Sequence, residues 1–398
     1  MTMAEPLLPP VSRRGFLKAA AGVASLPLST TATLAATGGD SRLVVVLLRG
    51  GMDGVDLVQP YADPGLESLR PALALSPRSG LLDLDGFFGL SPAAAGLMPL
   101  WQAGQLGFVH AVATPYRGMQ HFEAQDMLET AEVEGRAGRT GWLNRALSLM
   151  PRAGQRRAVD ITAAVEPILA GPNPVDVWAA RPDLPLCSDE MHGFADLYAA
   201  DPGFAATFAD VAGAGAGGLF DAAARRTAIA DMARQVGVML NGDYRVASFS
   251  LEGWDTHVDQ RGQFPQAAGD LAAAIVALRE GMTPAAWDAT IVLALTEFGR
   301  SLRINARGGT DHGAASVAVL AGGGLSGSGL SRRAVMGRWP GLQDEALFDG
   351  HALMPTTDTR DVAAAVLHRQ FDITPASLTG KIFPGLAFDA AAALLQAG

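Results

Sequence analysis

The sequence predicts an α/β protein with a mostly parallel central sheet flanked by helices. Three observations predict it. Continuous apolar runs such as Leu43–Leu48 (LVVVLL) and Ile291–Leu295 (IVLAL) read as strands buried on both faces. Segments of helical composition lie between such runs, and that alternation favours parallel pairing. Ionisable residues and glycines gather just after the runs, where open α/β sheets place their sites. The chain has 398 residues, of which 49% are hydrophobic and 18% charged, values of an ordinary globular protein. One large domain over 37–398 is expected.

The net charge of -10 argues against a nucleic-acid partner, which needs a basic face. A local basic pocket for an anion remains compatible with it. Cys187 is the single cysteine, so neither an intrachain disulfide nor a thiolate metal cluster can form.

The first 36 residues read as an address. Ser12-Arg13-Arg14-Gly15-Phe16-Leu17-Lys18 precedes a mildly apolar run from Ala19 to Leu34. Paired arginines before a short hydrophobic region mark twin-arginine export. The run holds Gly22, Pro27 and several hydroxyl residues, and is too short and polar for a span of about 20 apolar residues. Small residues near Ala35 suit signal cleavage. The expected partner is the twin-arginine machinery, the expected location periplasmic or extracytoplasmic, and no membrane span is expected in the mature chain.

The strand at Leu43–Leu48 ends in Arg49-Gly50-Gly51-Met52-Asp53-Gly54. Its glycines permit a turn that brings Asp53 close to a ligand. Leu106–Val112 is a second core strand. The loop after it carries Arg117, and a helix starts near His121 with Gln125 on the same face. A helix start also offers free N–H groups to an anion. An amphipathic helix is expected over 140–150 and a short strand over 158–163. Loops follow over 167–186, then a helix-loop-helix over 201–218 and a helix from Ala222 to Leu240. The strand Arg245–Leu251 runs into Trp254-Asp255-Thr256-His257. In an extended segment Asp255 and His257 face one side, spaced to chelate. A helix is expected over Gln266–Leu278. The strand at Ile291 then leads to Glu297, Arg300, a Gly308-Gly309 turn and the adjacent pair Asp311-His312. A strand follows at Ala315–Leu320, and a helix at Thr359–Arg369 with His368 on its surface. Trp101, Trp287 and Trp339 read as packing residues. Carboxylate oxygen beside imidazole nitrogen is a reasonable ligand set for a divalent transition metal.

The motifs RGGMDG, HFEAQD, GWDTH, TEFGR, GGTDHG and GRWPGL, in this order behind a twin-arginine signal, resemble the bacterial family called domain of unknown function 1501. The resemblance covers about residues 42 to 390. That family in turn resembles, more distantly, the alkaline phosphatase and sulfatase superfamily. This implies a three-layer sandwich with metal ligands and an anion site at the strand ends. By that resemblance Asp53 matches the superfamily's first metal-binding aspartate. Asp255 and His257 match its central Asp/His ligands, with tighter spacing. Asp311 and His312 match its adjacent Asp-His pair, a role for which Glu297 competes with Asp311. The implied cofactor is a divalent metal such as zinc, manganese or calcium.

One departure concerns the nucleophile, which the superfamily places at the start of the helix after the second strand. Here that place holds Gln120, in Gly118-Met119-Gln120-His121-Phe122. Glutamine cannot form a phospho- or sulfo-ester, and the nearest hydroxyl, Thr114, is six residues upstream. The expectation is a hydrolase of small anionic phosphate or sulfate esters that uses metal-bound hydroxide. Arg117, His121, Glu297 and Arg300 are its candidate catalytic residues, either arginine serving as an anion clamp. The alternative is a non-catalytic periplasmic binding or assembly protein that keeps the fold.

Overall fold

A computed structural model describes residues 40–132, 140–150, 158–162, 164–179, 222–326, 330 and 335–396. All of these belong to the compact unit Gly38–Gly398. Residues 1–36, expected as an export signal, Cys187 and the segment 201–218 lie outside the described residues.

The strands used below are β1 (Arg42–Leu48), β2 (Leu106–Ala113), β3 (Ala158–Asp160), β4 (Asp176–Val177), β5 (Val246–Leu251), β6 (Thr290–Thr296), β7 (Gly299–Ile304), β8 (Thr310–Gly313), β9 (Ser316–Ala321), β10 (Val335–Met336) and β11 (Thr357–Asp358). The helices are α1 (His121–Thr130), α2 (Trp142–Leu147), α3 (Ala222–Leu240), α4 (Gln260–Gly281) and α5 (Thr359–Phe371).

The main sheet runs β10-β2-β9-β6-β1-β5-β3-β4, with β11 also on β2. β1 lies inside it, parallel to β5 on one edge and to β6 on the other. All seven of its residues are buried, as an apolar run without alternation requires. Its side chains divide by the two-residue period. Val44, Val46 and Leu48 enter the core formed with α3 and α4. Leu43, Val45 and Leu47 enter a second core with α2 and α5. Helices therefore cover both faces of a largely parallel sheet.

β9 is the exception among the described strands of this sheet, antiparallel to both β6 and β2. The physical cause is the connection. No helix carries the chain back after β6. Instead it turns through the antiparallel pair β7–β8 and re-enters the sheet in the opposite direction. The sequence shows the Gly308-Gly309 turn of this pair, but its strands are too polar to read as core strands.

Two helices differ in extent from the expectation. The one predicted over 140–150 is confined to Trp142–Leu147. The one predicted from Gln266 begins at Gln260, because Asp259 caps it by accepting from the Gly262 N–H.

Candidate metal centre

The C-terminal ends of β1, β5 and β6 bring three glycine-bearing loops together, and α1 starts beside them. From the loop after β5 come Asp255 and His257, from β8 comes His312, and from the first residue of α1 comes His121. His121, Asp255 and His312 each present one donor atom, all within 4.8 Å of one another. Asp255 Oδ1 lies 3.0 Å from His257 Nε2 and 3.3 Å from His312 Nε2. Asp255 Oδ2 lies 3.4 Å from His121 Nε2. The His257 and His312 Nε2 atoms are 3.0 Å apart.

The far side of each ring assigns its role. His121 Nδ1 meets Glu297 Oε1 at 3.0 Å. His312 Nδ1 meets the Met119 carbonyl at 2.9 Å. His257 Nδ1 faces Asp311 Oδ1 at 3.5 Å. With an acceptor on every Nδ1, each ring can keep a proton there, so Nε2, which faces Asp255, is the nitrogen that a metal would meet once its own proton is displaced. Imidazoles oriented by an outer oxygen are the usual arrangement around a protein-bound metal. Donors about 2.0–2.1 Å from one ion lie roughly 2.9–3.4 Å from each other, and the four spacings given above, between Asp255 and the three rings and between His257 and His312, lie in that range. Three nitrogens and one carboxylate suit a transition ion such as zinc by donor chemistry.

Electrostatics keep Asp255 charged. Burial opposes its ionisation, but the bonds from His121, His257 and His312 and the charge of Arg300 outweigh this and hold its carboxyl far below the ordinary range. His121, between Asp255 and Glu297, is raised to about 9 by those two carboxylates against the effect of burial. Glu297 is lowered: burial works against its charge, and His121, the backbone N–H of Gly50 and Gln125 overcome it.

Glycine is required at Gly50. Its φ is +120°, and a Cβ there would lie 2.5 Å from the Asp255 backbone nitrogen. The close approach lets Gly50 donate to Glu297 at 2.9 Å and accept from Arg300 at 3.3 Å.

The other residues singled out from sequence fall elsewhere. Asp53 does not join the cluster. It caps the short helix Gly54–Leu57 and forms a fully buried fork with Arg70, with Nη2 to Oδ2 at 2.9 Å and Nη1 to Oδ1 at 3.0 Å. Its carboxylate is thereby neutralised. Asp311 is largely exposed and stands behind His257, held by Asn305 Nδ2 at 3.0 Å. Arg300 is completely buried. Its guanidinium grips Asp255 Oδ1 at 2.5 Å and also bonds Thr310 and Gly50, so it anchors the aspartate and does not face solvent as an anion clamp. Arg117 turns back onto the carbonyls of Thr114 and Tyr116 in its own loop.

Sequence reasoning missed three contributors. Gln260 Nε2 donates to Asp53 and Asp56, both at 2.9 Å, while its Oε1 accepts from Thr256 and Thr310. It thus ties the loop of Asp255 to the strand of His312. Phe298 lies against both His121 and His312, with ring centroids at 5.0 and 4.6 Å. Arg70 sits in no motif at all. Gln260 could have been noticed three positions after His257, whereas Arg70 gave no signal.

The fold and the cluster define an α/β protein with a candidate histidine–aspartate metal centre at the ends of its parallel strands. The chain belongs to the family described as protein of unknown function (DUF1501), whose pattern matches residues 179–381. That span contains Asp255, His257, Glu297, Arg300, Asp311 and His312. No curated protein matches the chain.

Proposed function

We propose that this protein is an exported metal-dependent hydrolase of phosphate or sulfate esters, as the resemblance to the alkaline phosphatase and sulfatase superfamily implies. The observation that carries the reading is the convergence of three imidazole Nε2 atoms on one half-buried, charge-stabilised carboxylate. His121, Asp255, His257 and His312 would hold the ion. The chemistry such an ion supplies when bound is Lewis-acid polarisation of an ester oxygen.

The chain's own residues supply orientation and anion affinity. Glu297 fixes the ring of His121, and Arg300 fixes Asp255. Gln120, the residue before α1, makes no side-chain cap, so the first N–H groups of that helix stay open to an anionic group. Gln120 also supplies no hydroxyl to accept a phosphoryl or sulfuryl group, so hydrolysis here proceeds without a covalent ester on the protein.

A second reading is a periplasmic binding or assembly protein that retains the metal site without turnover. The burial of Arg300 beneath Asp255 favours it, because this arginine is then withdrawn from substrate.

The test is elemental analysis of protein purified without chelator, alongside Asp255→Ala and His312→Ala, together with a panel of phosphate and sulfate esters. Near-stoichiometric metal is expected in the wild type and less than a tenth of it in either variant, with ester turnover lost in parallel. Metal without turnover on any ester selects the binding reading. A wild type that takes up no metal even after reconstitution overturns both. Export by the twin-arginine route rests on Ser12–Lys18 and belongs to the same proposal.

A further inference from the structure

A second cluster lies where β3 and β5 run side by side. Asp160, the last residue of β3, is fully buried and pairs in parallel register with Ser248 of β5, which is also fully buried. Neighbours in register project from the same face of a sheet, so the two side chains stand together. Asp160 Oδ2 accepts from the Glu166 N–H at 2.6 Å, while its Oδ1 has no partner among the described residues. The same is true of two further buried atoms, Ser248 Oγ and Glu166 Oε2. Glu166 is drawn to this face by its other oxygen, Oε1, which accepts from Ser250 Oγ at 2.7 Å and pairs with Arg49 at 3.1 Å. Ser250 follows Ser248 by two residues and so shares its face.

Charge is unbalanced here. Arg49 pairs with Glu129 at 3.0 Å as well as with Glu166. Glu129, Glu166 and, at 3.9 Å, Glu252 all pair with this one arginine, and Asp160 has no cation of its own among the ion pairs of the described residues, so carboxylates outnumber cations here. Buried polar atoms are normally satisfied, and three unpartnered oxygens on residues joined by the β3–β5 register and by the Glu166 bonds call for an occupant. Ser248 matters most in this argument, since a hydroxyl without a partner is not explained by acidity.

We propose that Asp160 Oδ1, Glu166 Oε2 and Ser248 Oγ form a second metal site, specific for a hard divalent cation of the calcium type. The donor set is oxygen only, which suits calcium and contrasts with the nitrogen-rich centre at Asp255. The charge of a divalent cation also offsets the excess of carboxylates around Arg49. Burial, reinforced by Glu166 and Glu129, pushes the Asp160 carboxyl up to about 7. A proton is therefore the competitor that the cation displaces.

The experiment is calcium titration by calorimetry on the full chain, on His312→Ala and on Asp160→Asn, with thermal unfolding of each in calcium and in chelator. One calcium per chain is expected in the wild type and in His312→Ala, with binding at least tenfold weaker in Asp160→Asn. Calcium should raise the unfolding midpoint of the wild type and leave that of Asp160→Asn unchanged. In chelator Asp160→Asn should unfold no earlier than the wild type, because it removes an unmatched buried charge. A wild type that binds no calcium at millimolar concentration overturns the site. Undiminished binding in Asp160→Asn, or binding lost in His312→Ala alone, overturns it equally.

Discussion

His110 shows how one buried ring can set the acid limit of the molecule. It is fully enclosed in β2, stacked on Phe88 with centroids 5.3 Å apart and edge-on to Trp339 at 4.8 Å. Its Nδ1 accepts from the Ala111 N–H at 2.9 Å, so Nε2 must be the protonated nitrogen, donating to the Val58 carbonyl at 3.0 Å. Only the neutral ring can do both. Burial lowers its pKa from 6.5 to about 4. The unfolded chain then binds more protons than the folded one between those values, and stability is lost as pH falls from 6.5 towards 4. The slope from this residue alone is at most about 1.4 kcal/mol per pH unit. His110→Gln, which keeps a donor and an acceptor, should flatten the dependence of the unfolding midpoint over that window. An unchanged slope would remove His110 from the account. At this same scale the sequence was informative where ligands are neighbours in the chain and at His121, singled out at a helix start as a candidate catalytic residue and placed in the metal cluster. Asp255 with His257, and Asp311 with His312, are visible as pairs, and three of these four side chains reach the cluster. Their division of labour is not visible, since Asp311 stands outside His257 while Asp255 lies at the centre. Asp53 looked equivalent to them because nothing in the sequence announces Arg70 as its partner.

The element that shapes the centre is the antiparallel pair β7–β8. It carries Arg300 on one strand and His312 on the other, paired in register. It packs on the Asp255 loop so closely that a Cβ at Gly309 would lie 2.1 Å from the His257 carbonyl carbon. The contact is backbone on backbone and cannot be relieved by a rotamer change. Thr310 N–H donates to the Thr256 carbonyl at 2.9 Å across the same seam. Gly309→Ala should therefore push β8 away from His257 and separate the two Nε2 atoms. Metal affinity is expected to fall at least tenfold, with a loss of about 1–3 kcal/mol in stability, as overpacking typically costs. Competition with a chromogenic chelator measures the first, and denaturant titration the second. Wild-type affinity in this variant would show that the seam does not hold the centre together. The buried strands were legible because their apolar runs exceed any plausible loop. β7 and β8 were not, since their value lies in where they place Arg300 and His312 and not in hydrophobic content.

At the scale of the molecule, the parallel strands were inferable from strand-helix alternation, and the reversed β9 was not, because a short polar hairpin replaced the expected crossover helix. No helix among the described residues is long and apolar enough to cross a membrane. The proposed route out of the cytoplasm carries folded protein, which agrees with a centre whose ligands come from far-apart segments. Replacing Arg13 and Arg14 together by Lys should hold the chain in the cytoplasm, as read by cell fractionation and immunoblotting; continued export at the wild-type level would refute the route. The central position of β1 has a further consequence for how the chain is made. Leu43 pairs with Val246 on one edge and with Ile291 on the other. Synthesis proceeds from the N-terminus, so this strand leaves the ribosome long before either neighbour exists. Through most of translation LVVVLL is an unpaired, uncharged apolar segment of the kind that seeds aggregation. The apolar strand can be covered on both edges only after the second half of the protein has emerged.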